Sequence, residues 1–208
     1  DTAFVGQLGR VPLAALGVNA SLFSMAFVIF NFLAYGTTPR VGRHVGKGDR
    51  EAAGRVVVRA VVLALIAGGV ALVTLQLAAV PLLRLMGATG ELLDPALEYL
   101  RIRAFAGPAV LLITAGHGAF RGYQDTRTPM YITIGLNLIN LILDPILIFG
   151  LGWGLTGAAV ATVVAQWVGA IVFLVLLFRT YSTSFKIAWY WPALHTLVPL
   201  LKVGRDLI

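Results

Sequence analysis

The stretch GLNLINLILDPILIFG, residues 135–150, combines the apolar character of a membrane helix with polar residues that lipid penalises. These polar or helix-disrupting residues are Asn137, Asn140, Asp144 and Pro145. The two amides and the carboxylate are spaced i, i+3 and i+7, so an α-helix presents all three on one face. Proline lacks an N–H, and its ring presses on the carbonyl four residues earlier, here that of Leu141. We therefore expect a membrane helix with an oxygen-rich site on one side.

The composition of the chain is that of a membrane protein. Of its 208 residues, 59% are hydrophobic and only 12% are charged, whereas soluble domains have about half apolar and about a quarter charged residues. Several apolar blocks reach the length of about 20 residues that crosses a bilayer as a helix. The sequence therefore predicts an all-α polytopic membrane protein.

Apolar blocks and breaker residues divide the chain into six membrane segments. A short first segment at residues 1–8 and a loop at 9–16 precede five predicted spans, at residues 17–38, 56–80, 96–119, 130–149 and 155–178. A helix is expected to start near Asp49, and Gly107 and Pro108 interrupt the span at 96–119. Residues 179–208 carry aromatic and charged side chains and are expected to form a cytoplasmic, interfacial linker. Because the chain begins and stops within this pattern, we expect it to be a fragment.

The 16 lysines and arginines predict the orientation in the membrane, since basic residues concentrate on the cytoplasmic side. One side of the predicted topology collects Arg40, Arg43, Lys47, Arg50, Arg55, Arg59, Arg121, Arg127, Arg179 and Lys186. The other side has Arg10, Arg84, Arg101 and Arg103, of which the last two are expected to extend outward to water. The first side is therefore predicted to be cytoplasmic, in the cell (inner or plasma) membrane. No motif for reading nucleic acid accompanies the net charge of +7.

Only two of the nine acidic residues, Asp1 and Asp144, fall inside predicted membrane segments. A charge near the bilayer centre costs about 3 kcal/mol or more, so such residues commonly have a function. A polar cluster that only holds helices together is the structural alternative, but amides would suffice for that purpose. Asp144 is therefore the leading candidate for a functional residue. Thr162, Gln166, Asn19 and Asn31 are expected to form packing hydrogen bonds, Tyr99 an interfacial anchor, and His117 a solvated side chain.

The common signatures of soluble enzymes and of metal sites are missing from the sequence. There is no cysteine, and the three histidines are far apart. The segment GRHVGKGD at residues 42–49 is one residue too short for a phosphate-binding loop and has Gly48 in place of the serine or threonine. No enzymatic activity and no cofactor are expected.

Four segments of the chain, in order, resemble the multidrug and toxic compound extrusion (MATE) family, and most closely its DinF-like branch. They are DTAFVGQLG (1–9), FLAYGTTPRVGRHVGKGDREAAGR (32–55), GAFRGYQDTRTP (118–129) and NLILDPILIFGLGWGLTGAAVAT (140–162). The resemblance implies a cation-coupled antiporter of twelve helices in two six-helix lobes, of which this chain is the N-terminal lobe with a truncated first helix.

The same resemblance implies a cation site at Asp1, Asn140, Asp144 and Thr162, with Tyr99 in its hydrogen-bond network. The coupling ion is H⁺ or Na⁺, and no metal beyond a Na⁺ at these residues is expected. The expected partners are the lipid bilayer, small organic and often cationic substrates, and the missing C-terminal lobe.

Three alternatives stay open at this point. A flippase for a lipid-linked saccharide would line its cavity with several basic residues, whereas the predicted intramembrane charge is acidic. An intramembrane enzyme would need a nucleophile, a base or metal ligands at membrane depth, and none is evident. A non-transporting membrane subunit is favoured only if the chain is a complete protein.

Overall fold

The computed structural model describes residues 1–185, 187, 189–193 and 196–197, and within them all regular structure is helical. The helices are α1 (Thr2–Val5), α2 (Arg10–Val28), α3 (Phe32–Gly46), α4 (Arg50–Leu77), α5 (Ala79–Leu85), α6 (Leu93–Ala104), α7 (Gly107–Gly122), α8 (Arg127–Pro145) and α9 (Gly154–Phe185). Four helical stretches are long and apolar enough to cross a membrane: Arg10–Gly46, Arg50–Leu77, Arg127–Gly150 and Gly154–Arg179.

Several predicted boundaries agree with the helices. The side chain of Asp49 accepts a hydrogen bond from the main-chain nitrogen of Ala52 at 3.0 Å and so caps the start of α4. The span predicted at residues 96–119 is indeed interrupted, because α6 ends at Ala104 and α7 starts at Gly107. The indole nitrogen of Trp167 donates to the carbonyl oxygen of Phe105 at 3.0 Å, which satisfies one carbonyl exposed by this break.

The second membrane segment departs from the prediction at both ends. The expected loop at 9–16 is wrong, since α2 starts at Arg10 directly after Gly9, whose φ of 123° is open mainly to glycine. The helix also continues beyond Pro39, before which the membrane span was predicted to end. A three-residue 3₁₀ turn, Ile29–Asn31, links α2 to α3, and α3 continues through Pro39 to Gly46. The polar composition after Pro39 therefore marks the end of the apolar span and not the end of the helix.

The core of the bundle forms where α7 packs against α3, α4 and α9. Phe120 and Phe173 are both fully buried, with ring centroids 5.7 Å apart. Many large apolar side chains elsewhere are exposed, among them Leu77 and Leu85 at 81% each. Such exposure of leucine is unfavourable in water but expected for a surface that faces lipid.

The predicted linker at 179–208 lies only partly among the described residues. α9 extends beyond residue 178 to Phe185. Further along, the hydroxyl of Tyr190 accepts from Nε of Arg59 at 3.1 Å and lies 3.3 Å from the carbonyl oxygen of Arg55, at the start of α4. Lys186, Ala188, Leu194, His195 and residues 198–208 lie outside the described residues, so the interfacial character of the linker stays a prediction.

Candidate functional site

Asp144 lies at the end of α8 and its side chain is fully buried. One carboxylate oxygen, Oδ1, is 3.4 Å from Nδ2 of Asn140, one helical turn earlier. The other, Oδ2, is 3.0 Å from the main-chain nitrogen of Asp1. After Pro145 the backbone widens into a five-residue π turn, Ile146–Gly150, just beyond the carboxylate. The disturbance expected from proline was at the carbonyl of Leu141, whereas α8 continues as an α-helix through Pro145.

Thr162 on α9 contacts the carboxylate of Asp1 and the amide of Asn140 through its hydroxyl. Its Oγ1 is 3.0 Å from Oδ2 of Asp1, 2.9 Å from the carbonyl oxygen of Ala158 and 3.4 Å from Nδ2 of Asn140. Both contacts of the Asn140 amide exceed the ordinary N–H···O range of about 2.7–3.2 Å, so no short bond fixes that amide. From its residue type alone we expected Thr162 to form a packing bond, and its bond to Ala158 has that character, but its hydroxyl also touches Asp1.

Tyr99 on α6 is the fifth predicted site residue. Its side chain is 4% exposed, and its hydroxyl lies within hydrogen-bonding reach of the side chains of Arg103 and Thr162. The expectation of an interfacial anchor is therefore wrong, and the role of Tyr99 in a cation site, which the family resemblance implies, stays a prediction. All five predicted site residues come together, from the start of α1, from α6, from α8 and from α9.

Asn137 does not take part in this cluster, although the helical spacing placed it on the same face. Its side chain is exposed, and its Nδ2 donates to the carbonyl oxygen of Thr133 at 2.7 Å on its own helix. An i, i+3, i+7 pattern spans a wide arc of a helix. Here only the arc that carries Asn140 and Asp144 faces α9.

Two other sequence expectations are also wrong. His117, expected in water, is partly buried, with its ring 5.2 Å from that of Phe173 and its Nε2 3.4 Å from the hydroxyl of Thr133. Arg103, expected to extend outward, lines a cavity together with Asp1 and Tyr99. Tyr99 and Arg103 are four residues apart in one helix and therefore share a face, which is a signal that sequence reasoning could have used.

The cavity has a volume of about 400 Å³ and lies between α1, α2, α6 and α7. Its wall combines the aromatic rings of Phe23 and Phe27 with Ser24, Tyr99, Arg103 and Asp1. The cation–aromatic contact of Arg103 with Phe23, 4.9 Å from Cζ to the ring centroid, holds the guanidinium on this wall. The carboxylate cluster is therefore open to a cavity on the side of Asp1.

The chemistry available to this cluster is that of binding a small cation. Carboxylate, amide and hydroxyl oxygens are the ligands that hard cations prefer. The side chain of Asp144 is fully buried and that of Asp1 is 22% exposed. Because an uncompensated charge in such surroundings is costly, these carboxylates suit uptake of a proton or a metal cation. Either cation would be bound by the same residues.

A protein-family model described as MatE matches residues 1–146 of the chain. Among curated proteins, the chain is 37% identical to Protein DETOXIFICATION 44, chloroplastic, of Arabidopsis thaliana, over 84% of this chain and 36% of that protein. It is 32% identical to the DNA damage-inducible protein F of Escherichia coli, over 85% of this chain and 39% of that protein. A probable multidrug resistance protein NorM of Thermotoga maritima is 28% identical over 98% of this chain and 45% of its own length.

Solved structures of related transporters have the same fold as this chain. A crystal structure of MATE in the bent conformation superimposes with a TM-score of 0.91 at 32% identity, over 98% of this chain and 46% of that chain. A MOP superfamily transporter from Pyrococcus furiosus superimposes with a TM-score of 0.89, also at 32% identity. The prediction of an all-α, multi-pass membrane fold related to one part of a larger transporter is confirmed. The chain spans less than half the length of these relatives.

Proposed function

The chain belongs to the MatE family, and from that premise we propose that it forms the N-terminal lobe of a cation-coupled antiporter. The whole protein would export drugs or toxic organic compounds across the cell (inner or plasma) membrane in exchange for H⁺ or Na⁺. Because the chain spans less than half the length of its relatives, a second lobe is needed to complete the substrate pathway. No cofactor beyond the coupling ion is proposed.

The cluster of Asp1, Asn140, Asp144 and Thr162 is the observation that carries this proposal. A buried carboxylate at membrane depth is costly, and a second one beside it adds like-charge repulsion. A purely structural cluster could use amides and hydroxyls at far lower cost. Two carboxylates in one cluster are therefore better explained by reversible binding of a cation that offsets their charge.

The proposed coupling between cation binding and export depends on how the cation changes the charge of the cluster. When one H⁺ or Na⁺ is bound, it cancels one of the two negative charges, so the repulsion between the carboxylates is relieved and the helix ends that carry them are free to approach. When the cation leaves, the two carboxylates repel one another and attract a cationic group in the cavity. The cation shifts the balance between outward-open and inward-open arrangements only as far as it binds one of them more tightly.

The substrate class is proposed from the cavity and from the relatives. The cavity wall carries aromatic rings and charge, which suits amphipathic organic compounds. Two matched relatives are named for multidrug resistance, the Thermotoga maritima protein and the Pseudomonas aeruginosa protein PmpM. A flippase for lipid-linked saccharides is disfavoured, because in the part of the chain that the structure describes Arg103 is the single basic residue that lines this cavity.

Drug efflux from cells tests the proposal. The full-length protein that contains this chain is expressed in a bacterial strain without efflux pumps, and ethidium export is followed by fluorescence. Because Asp144→Asn and Asp1→Asn remove the ionisable groups, we expect both variants to lose cation-dependent export. Asp94→Asn, which alters an exposed acidic residue at the start of α6, is the matched control and should export normally. Full export by both site variants, with unchanged dependence on the cation, would refute the coupling assignment.

A further inference from the structure

A groove runs between α8 and α9 on the side of α8 that faces away from Asp144. It has a volume of about 400 Å³. Its apolar lining consists mainly of Ile132, Leu136 and Ile139 from α8 and Val168, Val172 and Leu176 from α9. Gly135, which also lines it, is nine residues from Asp144, and at about 100° per residue the two lie on opposite sides of the helix. The groove is therefore separate from the carboxylate cluster and from the start of the chain.

Two glycines give the groove its shape. A Cβ on Gly169 of α9 would lie 3.0 Å from Cδ2 of Leu136, so this glycine allows the two helices to approach closely. A Cβ on Gly135 of α8 would meet nothing within 4 Å, so the missing side chain leaves open space there. An empty groove loses dispersion contacts, and in a membrane the acyl chain of a lipid is the group at hand to restore them.

The groove has the length of one leaflet of a bilayer. It extends along α8 from Thr128 to Ile139, which is about 16 Å at a rise of about 1.5 Å per residue. Half of the hydrocarbon core of a bilayer is about 15 Å thick. Since α8 belongs to the membrane-crossing stretch Arg127–Gly150, the groove begins at one end of that stretch and reaches its middle. A single acyl chain of that leaflet matches this length.

Two arginines lie at the end of the groove that meets the membrane surface. Arg127 is the first residue of one membrane-crossing stretch and Arg179 the last residue of the next, so both lie on the same side of the membrane. Arg127 is four residues before Tyr131 and Arg179 three residues after Leu176, and each therefore shares a helix face with a residue of the groove. Both arginines are exposed, and neither forms an ion pair with another described residue.

Hydroxyl groups accompany the arginines at this end. Thr128 and Tyr131 line the groove, and Tyr131 is 64% exposed. The nearby carboxylate of Asp125 caps α8, because its Oδ1 accepts from the main-chain nitrogens of Arg127 and Thr128 at 3.0 Å each. The guanidinium and hydroxyl groups are donors that suit the oxygens of a phosphate group.

We propose that this groove binds an anionic phospholipid, with one acyl chain between α8 and α9 and its phosphate group at Arg127 and Arg179. Basic pockets between membrane helices favour anionic lipid headgroups. Because the wall below the arginines is apolar over the thickness of a leaflet, the site fits a lipid and not a free phosphate ion. The predicted orientation assigns this lipid to the cytoplasmic leaflet. The inference does not involve the carboxylate cluster, so it is independent of the proposed antiport.

Two phospholipids that differ in the charge of the headgroup test the role of the arginines. The full-length protein that contains this chain is purified, stripped of lipid in detergent micelles, and titrated with palmitoyl-oleoyl phosphatidylglycerol or phosphatidylcholine. Binding of the first lipid molecule is measured by native mass spectrometry. We expect phosphatidylglycerol to bind at least about tenfold more tightly than phosphatidylcholine, because two arginines face its net negative charge.

Substitution of both arginines should remove this preference. In the double variant Arg127→Gln and Arg179→Gln, the affinity for phosphatidylglycerol should fall to that for phosphatidylcholine. The affinity for phosphatidylcholine should not change, which also shows that the variant is folded. The double variant Arg43→Gln and Lys47→Gln is the matched control, since both residues are exposed and basic on the same predicted side of the membrane. It should keep the preference of the wild type.

Filling the groove tests the place of the acyl chain. Gly135→Leu puts a side chain into the open space, and we expect it to weaken binding of both lipids by about tenfold. Gly69→Leu is the matched control, because a Cβ on Gly69 also meets nothing within 4 Å but this glycine lies on α4, outside the groove. It should bind both lipids as the wild type does. The melting temperature of each variant shows whether it is folded.

Four results would overturn the proposal. They are equal affinity of the wild type for the two lipids, a preference that survives loss of both arginines, unchanged binding by folded Gly135→Leu, or no retained phospholipid of either kind. The last result would assign the groove to contact with the second lobe or with a second copy of the protein. Each of these results leaves the proposed antiport untouched, and loss of the antiport assignment would leave the lipid site untouched.

Discussion

The side chains that share the surroundings of Asp144 determine what the candidate site can bind. Sequence spacing grouped Asn137 with Asn140 and Asp144, but the structure divides the three. Asn140 contacts both Asp144 and Thr162, whereas Asn137 bonds only to its own helix. Periodicity defines a helix face to within about 100°, and which part of that face meets another helix depends on tertiary packing.

This division gives a prediction with a built-in control. Asn140→Ala should weaken the cation dependence of efflux, because it removes an amide from the cluster. Asn137→Ala should leave efflux unchanged, since its side chain is exposed and bonded within α8. The cation dependence of each variant is measured as the concentration of cation that gives half-maximal ethidium export. Equal effects of the two substitutions would contradict the assignment of Asn140 to the site.

The hydroxyl of Thr162 gives a second prediction at this scale. Thr162→Val keeps the shape of the side chain but removes the bond to Asp1, and we expect cation affinity to fall by about fivefold to tenfold, since such a bond contributes about 1 kcal/mol. Thr162→Ser keeps the hydroxyl and should retain most of the affinity. If Thr162→Val bound the cation as well as Thr162→Ser, the hydroxyl would have no part in the site.

At the scale of elements, helix breaks and glycine contacts position the cluster. Gly68 on α4 faces the backbone of Pro108 at the start of α7, so closely that a Cβ on Gly68 would overlap it. Gly157 on α9 likewise faces the carbonyl of Leu147 in the π turn, where a Cβ would lie 2.8 Å from the oxygen. The sequence allowed the break at Gly107 and Pro108 to be predicted. It did not show which backbone each glycine meets, because that depends on contacts between distant segments.

The contact between α4 and α7 can be tested with adjacent glycines. Gly68→Ala should lower thermal stability, because overlap with backbone atoms of Pro108 is not relieved by a rotamer change and overpacking of this kind costs about 1–3 kcal/mol. Gly69→Ala is the control, since a Cβ there meets nothing within 4 Å, and alanine favours a helix by up to about 1 kcal/mol. The melting temperature of the purified protein should therefore fall for Gly68→Ala and stay level or rise for Gly69→Ala. The reverse order would contradict the packing.

At the scale of the whole molecule, the order of membrane segments was predictable because apolar length is a strong signal. The helical continuation of α3 beyond the membrane span was not predictable from the sequence. A helix whose end is polar makes its backbone hydrogen bonds equally well in water. The position of Arg103 was also missed, because an arginine near a span end was expected to reach water, and only the packed bundle shows that its face is turned to the cavity.

The orientation of the helix bundle across the membrane can be tested directly. The chain has no cysteine, so single substitutions Lys47→Cys and Glu91→Cys, at exposed sites, report the two ends of the bundle. From the distribution of basic residues we expect Lys47→Cys to react with a membrane-impermeant maleimide only after cells are permeabilised. Glu91→Cys should react in intact cells. The opposite labelling pattern would invert the proposed topology.

The central claim is that the cluster around Asp144 binds the cation whose entry drives export. The most direct measurement is the number of H⁺ or Na⁺ ions that enter per substrate molecule exported, in proteoliposomes that contain the full-length protein. We expect a fixed ratio for the wild type and for Asp94→Asn, and loss of cation movement linked to substrate for Asp144→Asn. An unchanged ratio in Asp144→Asn, with export intact, would contradict it.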